Sequence, residues 1–403
     1  MLLDRGTQVV AGIAAVAILA RTLGTDGFAA FQYAQSLVLL GASVALVCGG
    51  EVVIPRLVAL TADTAGQHRL LAHVFRLRIL AAVGGYVLVI GILLATRQAL
   101  ENWWPALILG GAILLREPSG VVTAWMQSRT ETRPVVCINV ASLALKFAVL
   151  SGLAYWGVRA TAAYATAFVL EAIMAAALLC LLYRARMPRH RVQIDPELTR
   201  RLLQDGTLFW VSFMLMISAR RIDQLILHAH ASAHEFAAYA ATVQIVDNFT
   251  TLATILASGI APLYVYAKPG ASAAIRSVLK LAAFLFVVGV AGAAVLALLA
   301  PWIVHFLYGA AFTDAIALLR LAIFISPLVF ADVGFTILAA YLREPRWIAI
   351  KWGIACTATV IVDLIAIPEL GAHGAILGYA LSSVLVVLAG IVMWLRARAR
   401  HAS

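Results

Sequence analysis

Apolar stretches of about 20 residues, the length a helix needs to cross the hydrocarbon core of a bilayer, follow one another along almost the whole chain. Read as spans they fall at 3–23, 29–54, 74–96, 103–127, 135–156, 160–183, 206–228, 236–264, 278–300, 313–341, 347–367 and 373–395. Twelve spans joined by short connections leave little room for a water-soluble domain. Composition agrees: 63% of the residues are hydrophobic and 12% charged, against about half and about a quarter in soluble domains. A soluble enzyme, a disordered chain and a disulfide scaffold are excluded. An all-α polytopic membrane protein is predicted, because a helix satisfies its own backbone in lipid.

The four cysteines, Cys48, Cys137, Cys180 and Cys356, fall inside apolar runs and form no CxxC. They read as small buried hydrophobes. The first apolar run is preceded by one arginine, Arg5, offset by Asp4. It reads as a first span and not as a removed leader.

The formal charge is +11. In a soluble protein that excess suggests nucleic acid; here its placement matters more, and no nucleic-acid partner is expected. With the N-terminus inside, 22 Lys and Arg lie on the cytoplasmic side. They include Arg56, Arg76, Arg78, the Arg-rich connection Arg184, Arg186, Arg189, Arg191, Arg200 and Arg201, then Arg343, Arg346, Lys351 and the tail Arg396, Arg398 and Arg400. Only Arg21, Arg97 and Arg159 lie outside. This asymmetry orients the chain with both termini cytoplasmic. It also supports an even number of spans, because one missed span would put later basic loops on the wrong side. Trp103, Trp104, Trp156 and Trp302 near outer span ends, and Trp125, Trp210, Trp347 and Trp394 near inner ones, read as aromatic belts.

The chain also repeats itself weakly. Phe28-Ala29-Ala30-Phe31 opens span two and Phe236-Ala237-Ala238-Tyr239 opens span eight; Arg184-Ala185-Arg186 and Arg396-Ala397-Arg398 close the two halves. Two six-span lobes, 1–195 and 196–403, are therefore expected. Six being even, the pseudo-twofold axis runs along the membrane normal, with a site between the lobes. Chance similarity between apolar helices is the alternative.

Ionisable groups within spans are costly and are functional candidates by default. The bases are Arg116, Lys146, Arg220, Arg221 and Arg320; the acids are Glu51, Glu117, Glu171, Asp223, Asp247, Asp332 and Asp363. Five bases against seven acids define no net cationic cavity, so pairing or protonation must neutralise several. Arg220 and Asp223, three apart, share one face of a helix, either as a self-neutralising pair or as working groups. Arg221 points about 100° away and needs another partner. Pro118 cannot donate to the carbonyl of Leu114, so span four should kink beside Arg116. Pro327 does the same in span ten, near Arg320. Broken helices at matching positions of two repeats point to a transport site; a simple packing kink is the alternative.

His228, His230 and His234 form an H-x-H-x-x-x-H that reads as a polar loop and not as a metal site. The basic connection at 184–201 can also meet anionic lipid headgroups. No P-loop, GxSxG elbow or HExxH is present, so no cofactor is expected. Transport would draw on an ion gradient, the membrane potential or downhill flow of substrate.

Three segments then carry a resemblance. Ala20-Arg21-Thr22-Leu23-Gly24-Thr25-Asp26-Gly27-Phe28-Ala29-Ala30-Phe31 resembles the "AR-x-LG-x-x-GFG-x-Y" junction of the polysaccharide-biosynthesis flippases, with Ala29 where a second glycine is usual. Arg221-Ile222-Asp223 followed by Leu227 resembles their "K-x-D-x-x-x-L". Ile367-Pro368-Glu369-Leu370-Gly371-Ala372-His373-Gly374-Ala375 resembles their "IP-x-x-G-x-x-GAA". The superfamily, the multidrug/oligosaccharidyl-lipid/polysaccharide exporters, also holds multidrug extruders and lipid II flippases.

The resemblance implies a two-lobed alternating-access transporter in the bacterial inner membrane. It would flip an undecaprenyl-pyrophosphate-linked oligosaccharide from the cytoplasmic to the periplasmic leaflet for O-antigen, capsule or exopolysaccharide assembly. It implies that Arg116, Lys146, Arg220, Arg221 and Arg320 are candidates to hold pyrophosphate and sugar. Asp223, Asp247, Asp332 and Glu171 become candidates to exchange protons or sodium ions. Membrane lipids and other polysaccharide-assembly proteins are the remaining expected partners. The seven acids keep a cation-coupled multidrug extruder as the rival reading. A membrane glycan polymerase or ligase is a weaker one, since the outer loops are too short to carry a catalytic centre.

Overall fold

The structure, a computed structural model, describes residues 2–96, 100–187, 195–268, 270–342 and 344–400, with 2–8 and 100–102 as backbone alone. Arg97, Arg189, Arg191 and Arg343 of the charge census lie outside the described residues. All the described elements are helices: α1 (Leu2–Ala45), α2 (Gly50–Ala59), α3 (Thr64–Ala95), α4 (Leu100–Gly111), α5 (Ile113–Ser128), α6 (Arg133–Tyr155), α7 (Thr161–Arg186), α8 (Pro196–Ala219), α9 (Ile222–His230), α10 (Ala233–Ala261), α11 (Ala271–Leu307), α12 (Ala315–Ala322), α13 (Ser326–Tyr341), α14 (Pro345–Leu370) and α15 (Ala372–Arg400). A π turn, Pro262–Tyr266, and two 3-10 turns, Ala310–Phe312 and Ile323–Ile325, complete them.

Eleven helical stretches are long and apolar enough to cross a membrane, and the first, Val9–Ala59, is 51 residues long. At about 1.5 Å per residue it reaches over twice a core of about 30 Å. It is broken at Gly24 (φ 67°, ψ −171°), a conformation that favours glycine. The stretch therefore holds the first two expected spans, and the reading as a twelve-span all-α membrane protein stands. Several helices outrun their apolar windows. α3 begins at Thr64, where the Asp63 carboxylate caps Gly66 N at 2.8 Å, because a helix can continue into the headgroup region once its first N–H groups are capped.

By contact density the chain divides into two compact units, residues 30–217 and residues 2–29 with 218–403. The division does not follow the chain halves at 195/196: the first span packs within the second unit, and most of α8 within the first. The core of the first unit gathers Leu57, Val74, Trp125, Met126 and Leu202. That of the second gathers Leu285, Phe330, Phe335, Leu338 and Trp394. Two of the expected belt tryptophans are thus core residues. Trp125 donates to Gln67 Oε1 at 3.1 Å and Trp394 to the Ile275 carbonyl at 2.9 Å; a buried indole is stable once its N–H is paired. Trp104, Trp156 and Trp302 are exposed, as a belt requires. The cysteine expectation holds only for Cys48. Cys137 and Cys180 are exposed and Cys356 is partly so, because a thiol is apolar enough to face lipid.

Side chains satisfy freed backbone at two helix ends inside the bundle. Between α1 and α2 the chain is non-helical, with Cys48 at φ 53°. Arg78, buried to 6% exposure, donates to the carbonyls of Val47 (3.3 Å), Cys48 (3.0 Å) and Glu117 (3.1 Å). The census counted Arg78 on the cytoplasmic side; it is an internal clamp, because the Val47 and Cys48 carbonyls lie between helices and have no helical partner. In the second unit Arg21 donates to the last carbonyls of α11, to Phe306 at 2.5 Å and to His305 and Leu307 at 3.4 Å. The two motif residues Arg21 and Gly24 are thereby a C-cap and a helix break.

Small residues let helices approach. A Cβ on Gly334 of α13 would stand 2.6 Å from Ala282 Cα of α11, and one on Gly289 2.9 Å from Pro327 Cα. Gly371, at φ 55°, lies against Glu235, whose Oε1 accepts from Ala372 N at 2.8 Å. Gly334→Val is expected to overpack the α11–α13 contact by about 1–3 kcal/mol. It should lower the detergent-solubilised melting temperature by several degrees, while Gly91→Val, at a glycine with open space around it, leaves it unchanged.

Candidate functional site

In the first unit Lys146 of α6 and Glu171 of α7 form an ion pair at 2.8 Å, with side chains 8% and 10% exposed. The ammonium also sits 5.0 Å from the Phe168 ring centroid. Both groups are mutually neutralised. Arg116 is on the exposed face of α5 and, among the described residues, has no carboxylate at ion-pair distance. The helix break expected at Pro118 lies earlier. Span four changes from α4 to α5 at Ala112, behind Gly110-Gly111, and α5 runs through Pro118. Gly110 and Gly111 are weak helix formers just ahead of that turn, while Ala112 itself keeps helical dihedrals (φ −64°, ψ −27°).

In the second unit the expected Arg220–Asp223 helical pair does not form, because the helix is broken there. α8 stops at Ala219, α9 starts at Ile222, and the two arginines occupy the turn. Arg221 donates to Asp247 Oδ2 of α10 at 2.5 Å. Asp223 accepts instead from Gln224 N (2.7 Å) and from the Tyr239 hydroxyl. The Arg220 guanidinium stacks 5.7 Å from the Trp352 ring centroid and, among the described residues, pairs with no carboxylate. Arg220, Asp223, Tyr239, Asp247 and Tyr379 line a cavity of about 20 Å³.

Asp363 of α14, an intramembrane acid left out of the ion-coupling candidates, is fully buried. Neither of its carboxylate oxygens has a hydrogen-bond partner. It presses on Gly378 of α15, where a Cβ would overlap it. The structure therefore gathers four candidates, Arg220, Arg221, Asp223 and Asp247, in one cluster on α8–α10. It adds Tyr239 and Tyr379, which no charge-based signal could single out.

Arg320 and Asp332 stay apart from that cluster. Arg320 of α12 is exposed and donates to the Ala297 carbonyl at 3.3 Å. Span ten is interrupted by the 3-10 turn Ile323–Ile325 just before Pro327, which opens α13, a position that suits proline's fixed φ. Asp332 pairs with Lys351 at 2.5 Å, and Lys351 also donates to Thr336 Oγ1 at 2.7 Å. The census placed Lys351 among the cytoplasmic bases; it is 6% exposed within α14. The three histidines diverge: His230 meets the Ile226 carbonyl, His234 meets Asp314, and His228 packs edge-on to Phe236.

Of the expected bases, then, Lys146 and Arg221 are ion-paired, while Arg116, Arg220 and Arg320 carry no carboxylate partner among the described residues. Of the expected acids, Glu171, Asp247 and Asp332 are ion-paired. Removing one partner of a buried pair strands the other charge at a cost of about 3–5 kcal/mol, whereas an apolar replacement of both is near neutral. Lys146→Met should therefore lower the melting temperature markedly, and Lys146→Met with Glu171→Leu should recover most of the loss.

The comparisons with known proteins match this architecture. No curated protein matches the chain. Among solved structures, an inward-facing multidrug resistance MATE family transporter of the MOP superfamily aligns over 98% of this chain and 94% of its own at a TM-score of 0.78 and 15% identity. The lipid II flippase MurJ, in an inward closed conformation, aligns over 99% and 90% at 0.69 and 13% identity. A MOP superfamily transporter from Pyrococcus furiosus aligns over 100% and 94% at 0.62 and 15% identity. These likenesses establish the fold. The family described as polysaccharide biosynthesis protein matches residues 5–249. With more than half of its length matched, this twelve-span membrane protein belongs to the polysaccharide biosynthesis protein family, and its fold is like that of the solved MOP superfamily transporters.

Proposed function

We propose that the chain flips a polyprenyl-diphosphate-linked oligosaccharide from the cytoplasmic to the periplasmic leaflet of a bacterial inner membrane. Both termini are cytoplasmic, and two six-helix lobes exchange access. The observation that carries the reading is the state of the intramembrane charges. Most bases within spans are used up by partners, Lys146 by Glu171, Lys351 by Asp332, Arg221 by Asp247, and Arg78 by backbone carbonyls. Arg116, Arg220 and Arg320 remain. A guanidinium without a carboxylate, held in a low-dielectric setting, favours an anion, and its planar fork matches diphosphate oxygens. A sugar–diphosphate head cannot cross hydrocarbon unaided, so such groups suit that cargo better than a cationic drug.

The acids of the second unit support ion coupling. Around the 20 Å³ cavity and beside it stand Arg220 and Arg221 against Asp223, Asp247 and Asp363, an excess of one carboxyl. Asp363 has no hydrogen-bond donor, and a buried unpaired carboxylate needs a proton or a cation. The cavity has about the volume of one small occupant. Asp223 and Asp363 are therefore the coupling groups of this reading, in place of the lysine-paired Glu171 and Asp332.

Cells depleted of the protein test the cargo. Polyprenyl-diphosphate-linked oligosaccharides should accumulate where an impermeant sugar-modifying reagent cannot reach them. Restoring Arg116→Gln, Arg220→Gln or Arg320→Gln protein should rescue export about tenfold or more less well than wild type, the scale of a lost charge-assisted contact. Accumulation on the outside would point to polymerase or ligase work; unchanged glycolipid with new drug sensitivity would favour the extruder. For coupling, Asp363→Asn is expected to abolish the dependence of export on imposed proton and sodium gradients, while Asp332→Asn, with Lys351→Met to keep charge balance, preserves it. Intact gradient dependence in Asp363→Asn and Asp223→Asn would overturn the assignment.

A further inference from the structure

The first unit holds a cavity of about 480 Å³ that no part of the charge cluster touches. Three helices build it with one face each. α3 contributes His68, Ala72, Phe75 and Ile79, and α7 contributes Ala176, Cys180, Tyr183 and Arg184, both at the spacing of one helical face. α5 closes the third side with Leu115, Pro118 and Val122, leaving Arg116 on a different face. The walls are apolar. Ser119 at the rim is already bonded to the Arg116 carbonyl at 3.0 Å. An apolar cavity of this kind stays dry and takes hydrocarbon.

The slot has a polar end and an apolar end. From His68 to Ile79 it runs 11 residues, about 16 Å at 1.5 Å per residue, close to one leaflet's half of a core of about 30 Å. At its head the His68 imidazole and the Tyr183 hydroxyl share a hydrogen bond of 2.5 Å. Beside them Arg184 is exposed and, among the described residues, has no carboxylate at ion-pair distance, whereas neighbouring Arg186 pairs with Glu131. One exposed cation at the polar end of a single apolar slot of about 480 Å³ is complementary to an anionic lipid with a single chain. A two-chain phospholipid would leave its second chain outside.

We propose that this slot binds the first isoprenoid units of the substrate's polyprenyl chain, with Arg184 on the proximal phosphate. The inference rests on the flippase reading and adds to it a separate anchor for the tail. It gives Arg184 a role distinct from orienting the chain by charge.

The test uses the full chain in phosphatidylcholine nanodiscs, with undecaprenyl diphosphate and phosphatidylglycerol as probes. Cys180 and Cys137 are both exposed thiols, and only Cys180 lines the slot. Undecaprenyl diphosphate should slow N-ethylmaleimide labelling of Cys180 by about tenfold and leave Cys137 unchanged, while phosphatidylglycerol should protect neither. Native mass spectrometry should show the bound undecaprenyl diphosphate reduced about tenfold by Ala176→Trp, by Val122→Trp and by Arg184→Ala, since each removes chain packing or the phosphate contact. Retention by wild type that survives both tryptophans, with Cys180 unprotected, would overturn the slot and leave the flippase reading standing. Equal protection by phosphatidylglycerol would make it a phospholipid site and overturn the proposal. No retention of undecaprenyl diphosphate by wild type would instead sink the flippase reading itself.

Discussion

Hydrocarbon offers no hydrogen bonds, and every backbone group of this chain that leaves a helix inside the bundle must find a partner within the protein. That requirement explains residues whose charge alone would be read as topology or binding. Arg78 holds the carbonyls freed between α1 and α2. Arg21 caps α11. The indole N–H groups of Trp210 and Trp394 close on the carbonyls of Val44 and Ile275. Each side chain acts where a helix end or a neighbouring segment presents an acceptor.

The same low dielectric governs the charges. Lys146–Glu171 and Lys351–Asp332 are closely matched pairs, each 10% exposed or less. Such pairs contribute little net stability but are costly to break, which makes them structural pins. The proposed function rests on what remains unmatched among the described residues of the candidate set: Arg116, Arg220 and Arg320 without carboxylates, and Asp363 without a donor. The break of span seven at Arg220–Arg221 belongs to this picture. By stopping the helix, it lets adjacent arginines take different partners, Trp352 for one and Asp247 for the other.

The family motifs acquire physical content on the same terms. Gly24 and Gly371 sit at positive φ, and Gly371 additionally packs on Glu235. Arg221 and Asp223, two residues apart, do not pair with each other; each is held by α10, through Asp247 and Tyr239. The repeated Phe28 and Phe236 are both fully buried, Phe28 against Phe312 edge-on at 5.3 Å and Phe236 against His228. These residues carry their spacing in the chain and their purpose in the packing.

Helix number, span positions, membrane class and the identity of the ionisable groups were legible in the linear chain, because each depends on local hydropathy and on the length of a span. Which charges meet was not legible. Lys351 and Arg78 counted only as cytoplasmic-side cations, Arg220 looked like the partner of Asp223, and Pro118 looked like the hinge of span four. Pairing depends on which helix faces are apposed, and apolar helices of nearly uniform hydropathy carry almost no one-dimensional record of that. Burial, the exposed thiols of Cys137 and Cys180, and the slot under Arg184 arise only when three or more helices are packed together, because a cavity and an ion pair are properties of neighbours and not of a sequence window.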